Sequence, residues 1–368
     1  MAKRTAKTTT TGNTKAAGKA AEAVDNRRQP SRPRGRVVPT GEPEATTESA
    51  RPTTPATADA AAGAATTADA ASGAATAEGR LLVRKTYKLY IGGKFPRSES
   101  GRSVPVAGAD GTLLANASRA SRKDVRDAVV AARKGFAAWS GATAYNRGQV
   151  LYRAAEMLEG RAEQLAAEVA ASEGLRPADA AASVAKAVDR LVWYAGWTDK
   201  LAQVFGAPNP VAGPFLNVSE PEPTGIVGLI APPDSSLLGL VSRLAPILAG
   251  GNSAVVVASE PHPLPAVTFA EVLATSDLPA GVVNVLTGFV AELAPVLAAH
   301  MDVNGLDLAG LDPSLRRDVE VAAAENVKRV VGPVPLRGAD WLDDTRAQDP
   351  YWVAAFLETK TVWHPAGV

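Results

Sequence analysis

Three histidines, His262, His300 and His364, and no cysteine occur among the 368 residues. Without cysteine the chain has no thiolate to attack a carbonyl, no thiolate metal ligand and no disulfide. The histidines are far apart in sequence and none has metal-ligand spacing, so they read as surface or cap residues. Ser235 and Ser236 follow Asp234, but no Gly-x-Ser-x-Gly elbow surrounds them, which argues against a serine hydrolase. Asp343, Asp344 and Asp349 fall in a polar stretch and read as a solvated loop. Glu260 differs from these, because it follows the apolar run Ala254–Ala258, at the end of a candidate strand.

Short β-branched runs alternate with helical patterns from Thr224 onward. Strands are expected at Ile226–Ala231, Ala254–Ala258, Val282–Leu286, more weakly at Leu306–Ala309, and at Lys328–Val331, with helices at Leu237–Leu248, Leu264–Thr275 and Arg316–Asn326. Such alternation implies an α/β fold of Rossmann type, a parallel sheet flanked by helices. Sites in these folds lie at the carboxyl ends of strands, which singles out Ala231–Ser236, Ser259–His262, Thr287–Phe289 and Gly310–Pro313. Upstream, Tyr87–Ile91 with Gly92-Gly93 and Lys94-Phe95 reads as a strand and tight turn. Ser121 to Asp124 forms a capping box with Asp in place of Glu, opening a helix with Val125, Ala128, Val129, Ala132, Phe136 and Trp139 on one face. Helices are also expected at Tyr145–Gly160, Arg161–Gly174 and Pro177–Lys200, the last with Val184, Val188, Leu191, Val192 and Trp197 inward.

Residues 1–80 are Ala, Thr, Lys, Pro and Gly with almost no large apolar side chains, and Thr57–Thr66 is repeated as Thr67–Thr76 with one change. A segment of this kind cannot bury enough surface to offset its ordering entropy, so a disordered tail is expected. Its first 40 residues carry ten Lys/Arg against two acids, yet the chain nets only +1. No aromatics interleave with those charges, so nucleic-acid binding is not expected. No run of about 18 apolar residues occurs, so no membrane span is expected. The basic N-terminus lacks a following apolar stretch, which argues against a secretory signal and for a cytoplasmic location.

Six segments in one order resemble the aldehyde dehydrogenase superfamily: Lys88–Phe95, Arg147–Gly160, Tyr194–Lys200, Glu222–Pro232, Leu278–Gly288 and Glu325–Val330, and Phe356–His364 resembles its C-terminal strand. The resemblance implies oxidation of aldehydes to acids: a cysteine thiolate attacks, hydride passes to NAD(P)+, and a glutamate activates water. It also implies a division into a tail (1–80), a dinucleotide-binding-type domain (81–335) and a linker with an oligomerisation-type strand (336–368). Several family positions have changed. Asp234 stands where the family has its oxyanion asparagine, and a carboxylate would repel a developing oxyanion. Pro333 stands near the glutamate base. Fewer than twenty residues separate Gly332 from the C-terminal match near Tyr351, too few for a catalytic domain. By the same resemblance, cofactor contacts would fall on Ile230, Pro232, Ser259, Glu260 and Gly310, with Glu260 accepting from ribose hydroxyls. A family lysine is replaced by Val257, a glycine by Leu315, and Asp312 adds negative charge, so NAD(P) binding is expected to be weak or lost.

The expected role is therefore non-catalytic: self-association, or association with an intact aldehyde dehydrogenase, through Thr359–Trp363. Two other readings stand beside it, an oxidoreductase with residual nucleotide binding and a non-functional product of deletion.

Overall fold

The computed structural model describes residues 83–366; the tail expected over 1–80 and its repeat lie outside the described residues. Strands β1 (Thr86–Tyr87), β2 (Ser103–Ala107) and β3 (Leu113–Ser118) form a small sheet in the order β1-β3-β2. The strand expected at Tyr87–Ile91 is broken. Tyr90 bridges to Val285 instead, and Ile91 pairs with Lys94 around Gly92 and Gly93. Both glycines have positive φ (60° and 77°), as the shortest hairpin turn demands.

Four long helices follow: α1 (Arg122–Ser140), α2 (Ala144–Glu159), α3 (Ala162–Glu173) and α4 (Pro177–Ala195). The capping box at the start of α1 forms as its sequence dictates: Ser121 Oγ accepts from Lys123 N and Asp124 N, and Ser121 N donates to Asp124 Oδ2 at 2.7 Å. Such a cap contributes about 1 kcal/mol. The α4 pattern ends sooner than expected, and Val192 is 39% exposed rather than inward. Short α5 (Leu201–Phe205) leads to β4 (Ala207–Pro208) and the nine-residue β5 (Phe215–Pro223), strands that the polar run Asn217–Glu222 conceals from periodicity.

The central unit comprises β6 (Ile226–Ile230), α6 (Leu238–Ala249), β7 (Ser253–Val257), α7 (Leu264–Leu273), β8 (Val283–Leu286), α8 (Val290–Ala299), β9 (Gly305–Asp307), α9 (Arg316–Ala324) and β10 (Arg329–Val331). The sheet is wholly parallel, in the order β10-β9-β6-β7-β8. Every residue of β6 and β7 is buried, because helices cover both faces. The strand period of two divides the side chains. Val227, Leu229, Ala254 and Val256 join the core made with α2, α3, α4, α6 and α7, while Ile226, Ile230, Val255 and Val257 join that of α1, α8 and α9.

The stretch after β10 was expected as a linker. It instead holds α10 (Asp344–Ala347), α11 (Pro350–Ala354) and a 3₁₀ turn, Gly338–Leu342, and it buries Leu336, Trp341, Ala347, Val353 and Phe356. The aspartates expected in a solvated loop have structural roles. Asp343 and Asp349 cap α10 and α11, and Asp344 pairs with Arg190 and Lys186. Arg190, fully buried, also donates to Trp341 O at 3.2 Å, to Ala347 O and to Ser242 Oγ at 2.8 Å, fastening this segment to α4 and α6. The chain then enters β11 (Leu357–Pro365), which pairs antiparallel with β5 along nine residues in the sheet β11-β5-β4.

Candidate functional site

The carboxyl ends of β6 and β9 open into a cleft of about 480 Å³. Its lining includes Ala231 and Pro233 after β6, Glu260 after β7, Val290 and Ala291 at the start of α8, Ala309–Leu315 after β9, and Arg337. Of the site residues expected from sequence, Glu260 and Gly310 line this cleft. Ile230 and Pro232 are buried behind it, Ile230 as the last residue of β6. Ser259 is also buried; its hydroxyl donates to Pro233 O at 3.0 Å and accepts from His262 N.

Glu260 is already engaged. One of its oxygens accepts from Val290 N at 2.7 Å, at the positive end of α8. Gly310 is required by the protein itself. A Cβ at this position would lie 1.8 Å from Ala231 O, because Gly310 N donates to Ile230 O and draws the two loops together. Its presence is therefore explained by packing without a cofactor. Asp234, placed at the oxyanion position by resemblance, accepts from Gly338 N at 2.9 Å. It thereby holds the segment that delivers Arg337 to the cleft, a residue the sequence alone did not single out, since Arg337 lies beyond the strand-and-helix pattern. Ser235 Oγ accepts from Gly239 N, and Ser236 donates twice to Glu173 Oε1, so both serines serve the start of α6.

The histidines do not converge. His262 is half-buried, and burial lowers its pKa against the pull of Glu173. Burial also lowers that of His300, whose Nδ1 accepts from Asp302 N. His364 is exposed on β11. Among the described residues no group of three or more His, Asp or Glu could hold a metal ion.

Behind the cleft lies a buried ion pair. Arg243 of α6 donates through Nε (2.9 Å) and Nη2 (2.6 Å) to Asp307 Oδ2 at the end of β9, each residue 1% exposed. Burial pushes the Asp307 carboxyl above the usual carboxylate range, and Arg243 pulls back only part of that rise. The Arg243 guanidinium also lies 4.1 Å from the ring centre of Trp352. A charged residue inside each of two apolar runs was the readable signal for this pair, since such residues stay buried only when paired.

Residues 96–332 match the model of the aldehyde dehydrogenase family. The chain belongs to that family. It is 33% identical over 254 residues to (Z)-2-((N-methylformamido)methylene)-5-hydroxybutyrolactone dehydrogenase of Acinetobacter baylyi, covering 66% of this chain and 50% of that one. It is 34% identical over 246 residues to the mitochondrial aldehyde dehydrogenase of Leishmania tarentolae, covering 66% and 49%. Among solved structures, HpcC of Thermus thermophilus superposes with a TM-score of 0.64 at 32% identity, over 67% of this chain and 48% of that one. PnpE of Pseudomonas, solved in complex with nicotinamide adenine dinucleotide, superposes with a TM-score of 0.64 at 31% identity, over 66% and 50%. The chain thus spans about half the length of these relatives.

The dinucleotide that the family implies does not fit the residues present. Glu260 gives one oxygen to the start of α8, Asp312 faces the cleft with a carboxylate, and Leu315 fills part of its wall. Val257, at the position of the family lysine, is fully buried in β7 and offers no charge.

Proposed function

We propose that this chain is a non-catalytic member of the aldehyde dehydrogenase family that associates with itself or with an intact relative through the β11-β5-β4 sheet. The sheet itself is the observation that carries the reading. Trp363 is 59% exposed, Leu216 53%, Val362 45% and Phe215 43%, all on two adjacent strands, and Phe215 and Trp363 stack edge to face at 5.9 Å. β11 is also an edge strand among the described residues. A long edge with exposed apolar side chains invites another chain.

Lost chemistry supports the non-catalytic half of the proposal. The chain supplies no cysteine, and Asp234, at the position of the family's oxyanion donor, presents a carboxylate that accepts from Gly338 N. The well-packed segment 336–356 weighs against a non-functional product of deletion, because it covers α4 and α6 with buried Trp341, Val353 and Phe356. Light scattering on the purified chain, alone and mixed with a full-length aldehyde dehydrogenase, tests the association. An oligomer in either sample is expected; a monomer in both sinks the proposal.

A further inference from the structure

The sheet order places β7 and β8 on one side of β6, whereas β9 and β10 lie on the other. The switch point between β6 and β9 is where open parallel sheets bind ligands. Anions there are held by the N–H groups of loops and helix starts. In this chain the loop is Ala309–Leu315, and its donors are almost all spent internally. Ala309 N donates to Asp307 Oδ1 at 3.1 Å, Gly310 N to Ile230 O at 2.9 Å and Leu311 N to Leu308 O at 3.1 Å. Pro313 has no N–H. Ser314 donates to Asp312 Oδ1 through both N (2.8 Å) and Oγ (2.6 Å), and Leu315 N donates to Asp312 O at 3.0 Å. On the opposite wall, the N–H of Val290 is taken by Glu260.

We infer that the cleft is closed to dinucleotides by its own carboxylates, and that Asp312 is the deciding residue. Its carboxylate takes both donors of Ser314, its carbonyl takes the N–H of Leu315, and it sets a negative charge where a diphosphate would lie. Like charges brought together disfavour binding strongly. Arg337 is the single cation among the lining residues and does not offset Glu260 and Asp312 together. This inference is independent of the association proposed above, since a chain that stayed monomeric would have the same cleft.

Calorimetric titration of the full chain with NAD+, ADP and inorganic pyrophosphate tests it. The unaltered chain is expected to give no binding at concentrations on the order of 1 mM. Asp312→Asn keeps an oxygen to cap the turn and removes the charge; Asp312→Gly also frees Ser314 N. Both variants are expected to bind ADP roughly tenfold or more above the limit set by the unaltered chain. Micromolar binding of ADP or NAD+ by the unaltered chain overturns the inference, as does a folded Asp312→Asn variant that stays as silent as its parent. Thermal melting establishes which variants are folded. If the glycine variant is not, the asparagine variant decides.

Discussion

At the carboxyl end of α9 the chain turns on a valine. Val327 has φ +57° and is 89% exposed, with its N–H donating to Ala324 O and that of Lys328 to Ala323 O. This is a helix C-terminal turn that ordinarily takes glycine in the left-handed position. A β-carbon there costs about 1–2 kcal/mol, and glycine's extra unfolded freedom returns part of it. Val327→Gly is therefore expected to stabilise the fold by about 1 kcal/mol, read as a higher denaturant midpoint with an unchanged slope. A lower midpoint would show that the valine side chain is making a contact worth more than its strain. The exposed site makes a packing loss small.

Between elements, charge does what apolar packing does not. Arg243 and Asp307 lock α6 to β9 inside the core. Asp307→Asn leaves a buried guanidinium without its counter-charge and is expected to cost about 3–5 kcal/mol. Arg243→Met with Asp307→Leu should recover most of that in equilibrium denaturation, because an apolar pair carries no desolvation penalty. A second junction joins β1's approach, α3 and α7: Glu271 accepts from Lys85 at 2.9 Å and Arg161 at 2.8 Å. Burial raises its carboxyl, but these two cations outweigh that and hold it below the ordinary glutamate range. A depressed acid stabilises the fold above its unfolded pKa, near 4.3, and loses that contribution as pH falls through the folded value. Melting profiles should therefore fall with acidification, and Glu271→Gln should separate from the parent at pH 7 but converge with it once the pH drops below the folded value of Glu271. Parallel profiles would remove Glu271 from that account.

The elements themselves differ in how legible they were. Ile226–Ile230 and Ser253–Val257 announce themselves as uninterrupted β-branched runs, and Ser121 with Asp124 announces a helix start, because each signal is local. α8 is hidden in the sequence, since Pro295 and the short spacing after β8 interrupt its pattern, and β5 is hidden because its side chains are mostly polar and partly exposed. Those two elements take their form from neighbours, β5 from nine pairs with β11 and α8 from packing on α1 and α9.

For the whole molecule, the question is what the exposed sheet meets. Trp363 and Val362 sit on β11, opposite Asn217 and Val218 of β5. Trp363→Glu adds charge at an exposed position and removes the edge-to-face contact with Phe215, so the fold should remain while losing about 0.5–1.5 kcal/mol of stability. If the sheet is the contact surface, the same variant shifts the light-scattering mass toward that of a monomer. An unshifted oligomer would place the contact elsewhere. The sequence by itself determined the fold class, the family and the absence of a thiol nucleophile, since these rest on residue identity and local period. Tertiary structure alone decided that Gly310 is tied to Ile230 and pressed against Ala231, that Asp234 anchors Gly338, and that Glu260 takes the N–H of Val290. Those facts depend on which backbone groups already have partners, and a hydrogen bond between residues distant in the chain leaves no mark on either one's local sequence.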